Sequence, residues 1–124
     1  MSNMGRLEAL ALRLPEAIRF DIEAWDHPTF RVRGKNFVFC DHPATMLSLK
    51  LSTDEAAAVV ATEDWVEPAH YGMGRHGWVL VRLDDPARPD QWEQVEEWVR
   101  TSYTLVAPKR LARLVLDANG PRES

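Results

Sequence analysis

Cysteine is nearly absent from this 124-residue chain: Cys40 is the only one. No internal disulfide can form, and a reducing cytoplasm is the expected compartment. No apolar run approaches the roughly 20 residues that a membrane span needs. A signal peptide is not expected either, because Arg6, Glu8 and Arg13 interrupt the only apolar stretch near the start, Leu7 to Leu14. The histidines are His27, His42, His70 and His76, and no two share a spacing such as H-E-x-x-H. No metal and no cofactor is therefore expected. An excess of positive charge is also missing. Lys and Arg number 15 against 19 Asp and Glu, a net charge of −4, so the chain as a whole is not drawn to phosphate. What is present is ordinary for a globular protein: 45% hydrophobic and 27% charged residues. That composition and length suit a single domain over residues 1–124, with its core at about 5–118 and a frayed tail.

The charge is unevenly spread. Residues 1–50 carry seven basic and six acidic residues, 51–107 carry four and eleven, and 108–124 carry four and two. An acidic middle is thus flanked by near-neutral or basic ends, which allows a local basic patch on one face or, more commonly, scattered surface charge.

Hydrophobic periodicity supplies the elements. Leu7, Leu10, Ala11 and Leu14 form a helical stripe over Met4–Leu14, and Pro15 stops it. Ile18, Phe20 and Ile22 alternate with Arg19, Asp21 and Glu23, a half-buried strand over Ile18–Trp25. After a turn at Asp26-His27-Pro28, Thr29–Val32 and Asn36–Cys40 read as a hairpin closed by Arg33-Gly34-Lys35. A second turn, Asp41–Ala44, leads into Thr45–Leu51, where Leu47, Leu49 and Leu51 oppose Met46, Ser48 and Lys50. Four consecutive strands predict an antiparallel meander.

Ser52 or Thr53 caps a short helix ending near Ala61, with Glu55 placed as in a capping box. Thr62–Met73 reads as a loop anchored by Trp65, Val66 and Tyr71, and Gly77–Leu83 as a strand. Asp90 is expected to cap the longest helix, Gln91–Val106, with Trp92, Val95, Val99, Tyr103 and Val106 on one face and Trp98 off it, partly exposed. Pro108 breaks it. A last helix, Lys109–Ala118, places Leu111, Leu114, Val115 and Ala118 together before Gly120-Pro121. The expected class is α+β: one antiparallel sheet of about five strands packed with helices.

Few residues carry chemistry. Arg31, Arg33 and Lys35 cluster at one end of the hairpin if Arg31 points away from Phe30 and Val32, and would then contact phosphates. The same cations would also keep an edge hairpin soluble. Lys50, mid-strand among leucines, is a candidate anion contact, or a solvated side chain paired across the sheet. Gly72 to Gly77 matches G-x-G-x-x-G, but a strand pattern follows where a dinucleotide site needs a helix, so that reading is excluded. Exposed backbone N–H groups there, with Arg75 and His76, could still hold an anion. A glycine turn without a ligand is the alternative. Lys109, Arg110 and Arg113 near the start of the last helix are read as a solvated face, with a binding partner as the other explanation. Cys40-Asp41-His42 lacks the paired geometry of a nucleophile and base, so no catalytic residue is assigned.

Four segments together resemble the MmcQ/YjbR family. They are His27-Pro28-Thr29-Phe30-Arg31-Val32 with Gly34-Lys35, Leu47-Ser48-Leu49-Lys50-Leu51, Gly74-Arg75-His76-Gly77-Trp78-Val79 and Ser102-Tyr103-Thr104-Leu105-Val106-Ala107. The resemblance spans about residues 5–115. It implies a fold like that of the frataxin homologue CyaY, with helices on an antiparallel sheet, and DNA binding through a "double wing" of hairpins. The expectation is a non-enzymatic binding protein. DNA is the first partner, held by Arg31, Arg33 and Lys35. A small anionic ligand or a protein partner at Lys50, Arg75 and His76 is the alternative.

Overall fold

The computed structural model describes residues 2–22, 27–70 and 72–118. The Ser2 side chain accepts a hydrogen bond from the Gly5 N–H and starts α1, Asn3–Ala11. This helix ends three residues before the expected Leu14. Pro15 disfavours helix at the residue before it, and the chain instead closes two turns, Leu14 N to Ala11 O and Ala17 N to Leu14 O. Six strands follow in one antiparallel sheet: β1 Ile18–Ile22, β2 His27–Val32, β3 Lys35–Cys40, β4 Met46–Lys50, β5 Val66–Pro68 and β6 Trp78–Arg82. Their spatial order is β1-β2-β3-β4-β6-β5. The first four form the expected meander, but His27 and Pro28, expected in a turn, already belong to β2, where they pair with Ile22 and Asp21. β5 is the strand the expected count of about five omits. It has three residues inside the segment read as a loop, too few for periodicity to register, and it pairs Val66 with Val81 on the far edge.

The remaining helices are α2, Thr53–Thr62, α3, Pro89–Val106, and α4, Lys109–Ala118. Ser52 caps α2 by accepting from the Glu55 N–H. The N-cap of α3 is Arg88, not Asp90. Pro89, with its fixed φ, takes the first helical position, and the Gln91 side chain accepts from the Arg88 N–H. Asp90 lies in the first turn and pairs with Arg88.

Opposed residues of an antiparallel sheet share a face, so the register sorts the strands. One face carries Phe30, Val38, Cys40, Leu47, Leu49, Val79, Val81 and Val66, all buried. These join Leu7 and Ala11 of α1, Ala56 of α2, Trp92, Val95, Trp98, Val99 and Tyr103 of α3, and Leu111 and Val115 of α4 in one core. The core therefore lies between the helices and a single sheet face. Trp98 is buried, not partly exposed: Trp65 stacks on it with ring centroids 5.4 Å apart. Leu114 is 52% exposed, and Ala112 takes its expected place in the core. Trp25 and Tyr71 lie outside the described residues, as does the expected stop at Gly120-Pro121.

The edge strand β1 corrects one expectation. Its alternation is present, but Ile18 and Phe20 point away from the helices and are 53% and 45% exposed. Arg19, opposite Phe30, lies on the helix side, where it pairs with Asp21 and with Glu8 of α1. An ion-pair group thus takes the place of apolar packing at this corner of the core.

Candidate functional site

The hairpin β2–β3 turns through Arg33 (φ 51°) and Gly34 (φ 80°), two left-handed residues as a two-residue hairpin turn requires. Lys35 is thus the first residue of β3 and not part of the turn. A register shift between Phe30 and Arg31 marks a bulge. Beyond it, Arg31 does point away from the core. Its Nε donates to Asn36 Oδ1 at 3.0 Å, and its guanidinium lies 4.2 Å from the centre of the Phe20 ring. The three hairpin cations do not share a surface, however. Arg33 makes a two-point ion pair with Glu16, through Nε to Oε1 and Nη2 to Oε2. That hydrogen-bonded pair holds the Glu16 carboxyl below its ordinary range and raises Arg33. Lys35 lies opposite Val32, on the helix side.

The face without helices is therefore the one that gathers chemistry. From the register it carries Ile18, Phe20, Thr29, Arg31, Asn36, Phe39, Met46, Ser48, Lys50, Glu67, Trp78, Leu80 and Arg82. Two aromatic residues meet there across a strand. Phe39 of β3 and Trp78 of β6 flank β4, and their ring centroids are 5.7 Å apart at 58°. Ser48, opposite both Phe39 and Leu80, is small enough to leave room for that contact above β4. Both rings are half-buried, so each retains an accessible surface. Lys50 lies opposite Trp78, and its side chain makes no ion pair or hydrogen bond among the described residues. Arg82 pairs with Glu67 at 2.8 Å and touches the Met46 sulfur.

Lys50 is held from below. Its backbone N–H donates to Ser102 Oγ at 2.9 Å, and the same hydroxyl donates to the Phe37 carbonyl at 2.6 Å. A side chain of α3 thus bridges β3 and β4 at the point where their direct pairing ends. Ser102 is fully buried, and nothing in the local sequence distinguishes it from a solvated helix serine. Phe20, Phe39 and Trp78 were likewise not singled out by sequence reasoning as a group. They come from three strands that only the sheet order brings side by side.

Arg75 and His76 are exposed on a 3-10 turn, Met73–His76, directly before β6. Gly77 closes it at φ 92°, with Leu51 donating to its carbonyl; a Cβ there would overlap the Leu51 carbonyl oxygen. Glycine at 77 is thus required by the close approach of two chain segments. Two N–H groups of the turn are already engaged, Met73 with His70 O and Gly77 with Gly74 O. A cavity of about 320 Å³ lies between α3 and α4, lined by Glu97, Arg100, Thr101, Thr104, Val115 and Leu116. One of about 140 Å³ lies beside α2, and one of about 40 Å³ between α1 and α3. Lys50, Arg75 and His76 line none of these three.

Cys40 donates to the Pro28 carbonyl, and burial, reinforced by Asp41, pushes its thiol up to about 12. It stays protonated at neutral pH and is a packing group in the core. Among the described residues no three His, Cys, Asp or Glu side chains converge as metal ligands, and no helix is long and apolar enough to cross a membrane.

Helices confined to one face of a six-stranded antiparallel sheet, with the other face open, define an α+β fold of two layers. Within it the chain belongs to the YjbR family, whose model matches residues 12–105. The crystal structure of a Deinococcus radiodurans protein with a DUF419 domain superposes with a TM-score of 0.70 at 22% identity, covering 93% of this chain and 88% of that one. A Pseudomonas syringae protein superposes with a TM-score of 0.54 at 15% identity, covering 77% and 93%. These likenesses establish the shared fold. No curated protein matches the chain.

Proposed function

We propose that this YjbR-family chain is a non-enzymatic, cytoplasmic binding protein for DNA, and that the open sheet face is where it binds. The observation that carries this is charge. On a chain of net charge −4, the described residues of that face hold Arg31, Lys50 and Arg82 against one acid, Glu67. Arg31 and Lys50 have no acidic partner among the described residues and are available to phosphates. Arg33 and Lys35, the other hairpin cations, are secondary in this reading, since Glu16 already neutralises Arg33. The test is fluorescence anisotropy of a labelled mixed-sequence duplex between about 20 and 300 mM salt. Binding should weaken linearly in log salt, and Lys50→Ala should reduce the slope by about one. Absence of binding at the lowest salt overturns the proposal. A larger loss in a variant carrying Arg33→Ala and Lys35→Ala than in Lys50→Ala returns the site to the hairpin end.

A second reading is a small anion held by Lys50, Arg75 and His76. It is favoured by the Lys50–Trp78 pairing and the Leu51–Gly77 hydrogen bond, which tie that turn to the end of β4. A true ligand must raise the melting temperature with dose, and Lys50→Ala must abolish the rise.

A further inference from the structure

We propose that the open face takes single-stranded nucleic acid by base stacking, with Phe39 and Trp78 as the central platform and Phe20 with Arg31 as a second. This rests on the phosphate-binding reading of the same face and narrows it to one class of nucleic acid.

A duplex hides its bases, so it can use only the cations of a surface. A single strand also presents the flat faces of its bases, which stack on aromatic rings and on guanidinium planes. This face offers both kinds of contact. Phe39 and Trp78 form a paired aromatic surface with Lys50 beside Trp78 in the register. Two strands away from Phe39, Phe20 is 45% exposed and lies under the Arg31 guanidinium. Thr29, fully buried, lies between Phe20 and Phe39, and Ser48 lies under the Phe39–Trp78 contact. From β1 to β6 the face is five strands wide in the order given, roughly 19 Å at the usual strand spacing.

Charge selects this occupant over a second copy of the chain. The face bears three cations and one acid, so two copies face to face would oppose like charges. A phosphodiester strand complements them. Neither platform belongs to the core cluster, which draws on the other face of the sheet.

The test compares labelled probes of about 12 nucleotides. They are single-stranded DNA, the same sequence as RNA, its duplex, and a base-free deoxyribose-phosphate strand of equal charge. The single strands should bind at least about tenfold tighter than the base-free strand, because each stacked base contributes independently of charge. They should also bind tighter than the duplex. The DNA and RNA arms distinguish which strand is preferred. Phe39→Leu keeps an apolar side chain of similar size while removing the ring, and should lower the single-stranded affinity at least about fivefold while leaving the affinity for the base-free strand unchanged. The base-free comparison uses the unaltered protein and so does not depend on any variant folding.

Equal affinity for all four probes, with a common salt dependence, overturns the stacking proposal and leaves the phosphate reading standing. No binding to any probe at low salt overturns both. Sedimentation that shows a dimer dissociated by Phe39→Leu makes this face a contact between copies and also overturns the proposal.

Discussion

The two faces of the sheet are built from alternate residues of the same strands, yet they do different work. In β4, Leu47 and Leu49 are fully buried against α3, while Ser48 and Lys50, one position away, reach the open side. The helix-side face is almost wholly apolar and closes the core. The open face mixes rings, small polar groups and cations, and of its residues Thr29 and Leu80 are buried. Apolar side chains are therefore not a marker of the inside here. Ile18, Phe20 and Met46 are exposed because no helix lies over them, and Arg19 is partly shielded because α1 supplies Glu8. Which face of a strand is inside depends on where the helices settle, and the period-two pattern records only that two faces exist.

Truncation at neighbouring positions of β4 is the most forceful way to break this comparison. Leu49→Ala should cost about 2–5 kcal/mol, read as a lower urea midpoint at constant m. Next comes the serine that links the faces. Ser102→Ala leaves the Lys50 N–H and the Phe37 carbonyl without their partner, at a cost of about 2–4 kcal/mol by the same measurement. A loss near zero would mean that β3 and β4 re-pair directly without it.

The turn joining β3 to β4 should give a smaller, pH-dependent effect. Burial raises the Asp41 carboxyl, but hydrogen bonds from Thr45 Oγ1, the Met46 N–H and the Thr45 N–H outweigh it and hold the group below its ordinary value. Folding therefore favours the carboxylate. Its contribution is complete above the ordinary carboxyl range and disappears as pH falls through the lowered folded-state value. Denaturant titrations from neutral to acidic pH should show that Asp41→Asn flattens this part of the profile. The smallest stability effect belongs to the open face. Lys50→Ala should change the unfolding free energy by less than about 0.5 kcal/mol while altering the salt dependence of binding, which separates recognition from folding.

Much of the fold is legible along the chain. The meander, the caps and breaks at Ser52 and Pro108, and the apolar stripe of α3 all follow from short-range spacing. Less is legible where two segments compete or are too short. β5 holds three residues, α1 stops early at turns before Pro15, and Pro89 moves the start of α3 ahead of Asp90. The candidate site was legible only in pieces. Arg31 and Lys50 were singled out as cations, and the family resemblance rests partly on the segments that carry Lys50, Trp78 and Ser102. Glu16, which engages Arg33, lies 17 residues away and carries no local signal of that role. The pairing of Phe39 with Trp78 had none either, because it spans β3, β4 and β6.

Residue order by itself determined the alternation, the class and the family, because each depends on neighbours within a few positions or on motifs in a fixed order. Tertiary structure decided which face of the sheet is covered, which cation is neutralised and which rings meet. Those outcomes depend on side chains far apart in sequence approaching to within a few ångströms, and no local preference encodes such distances.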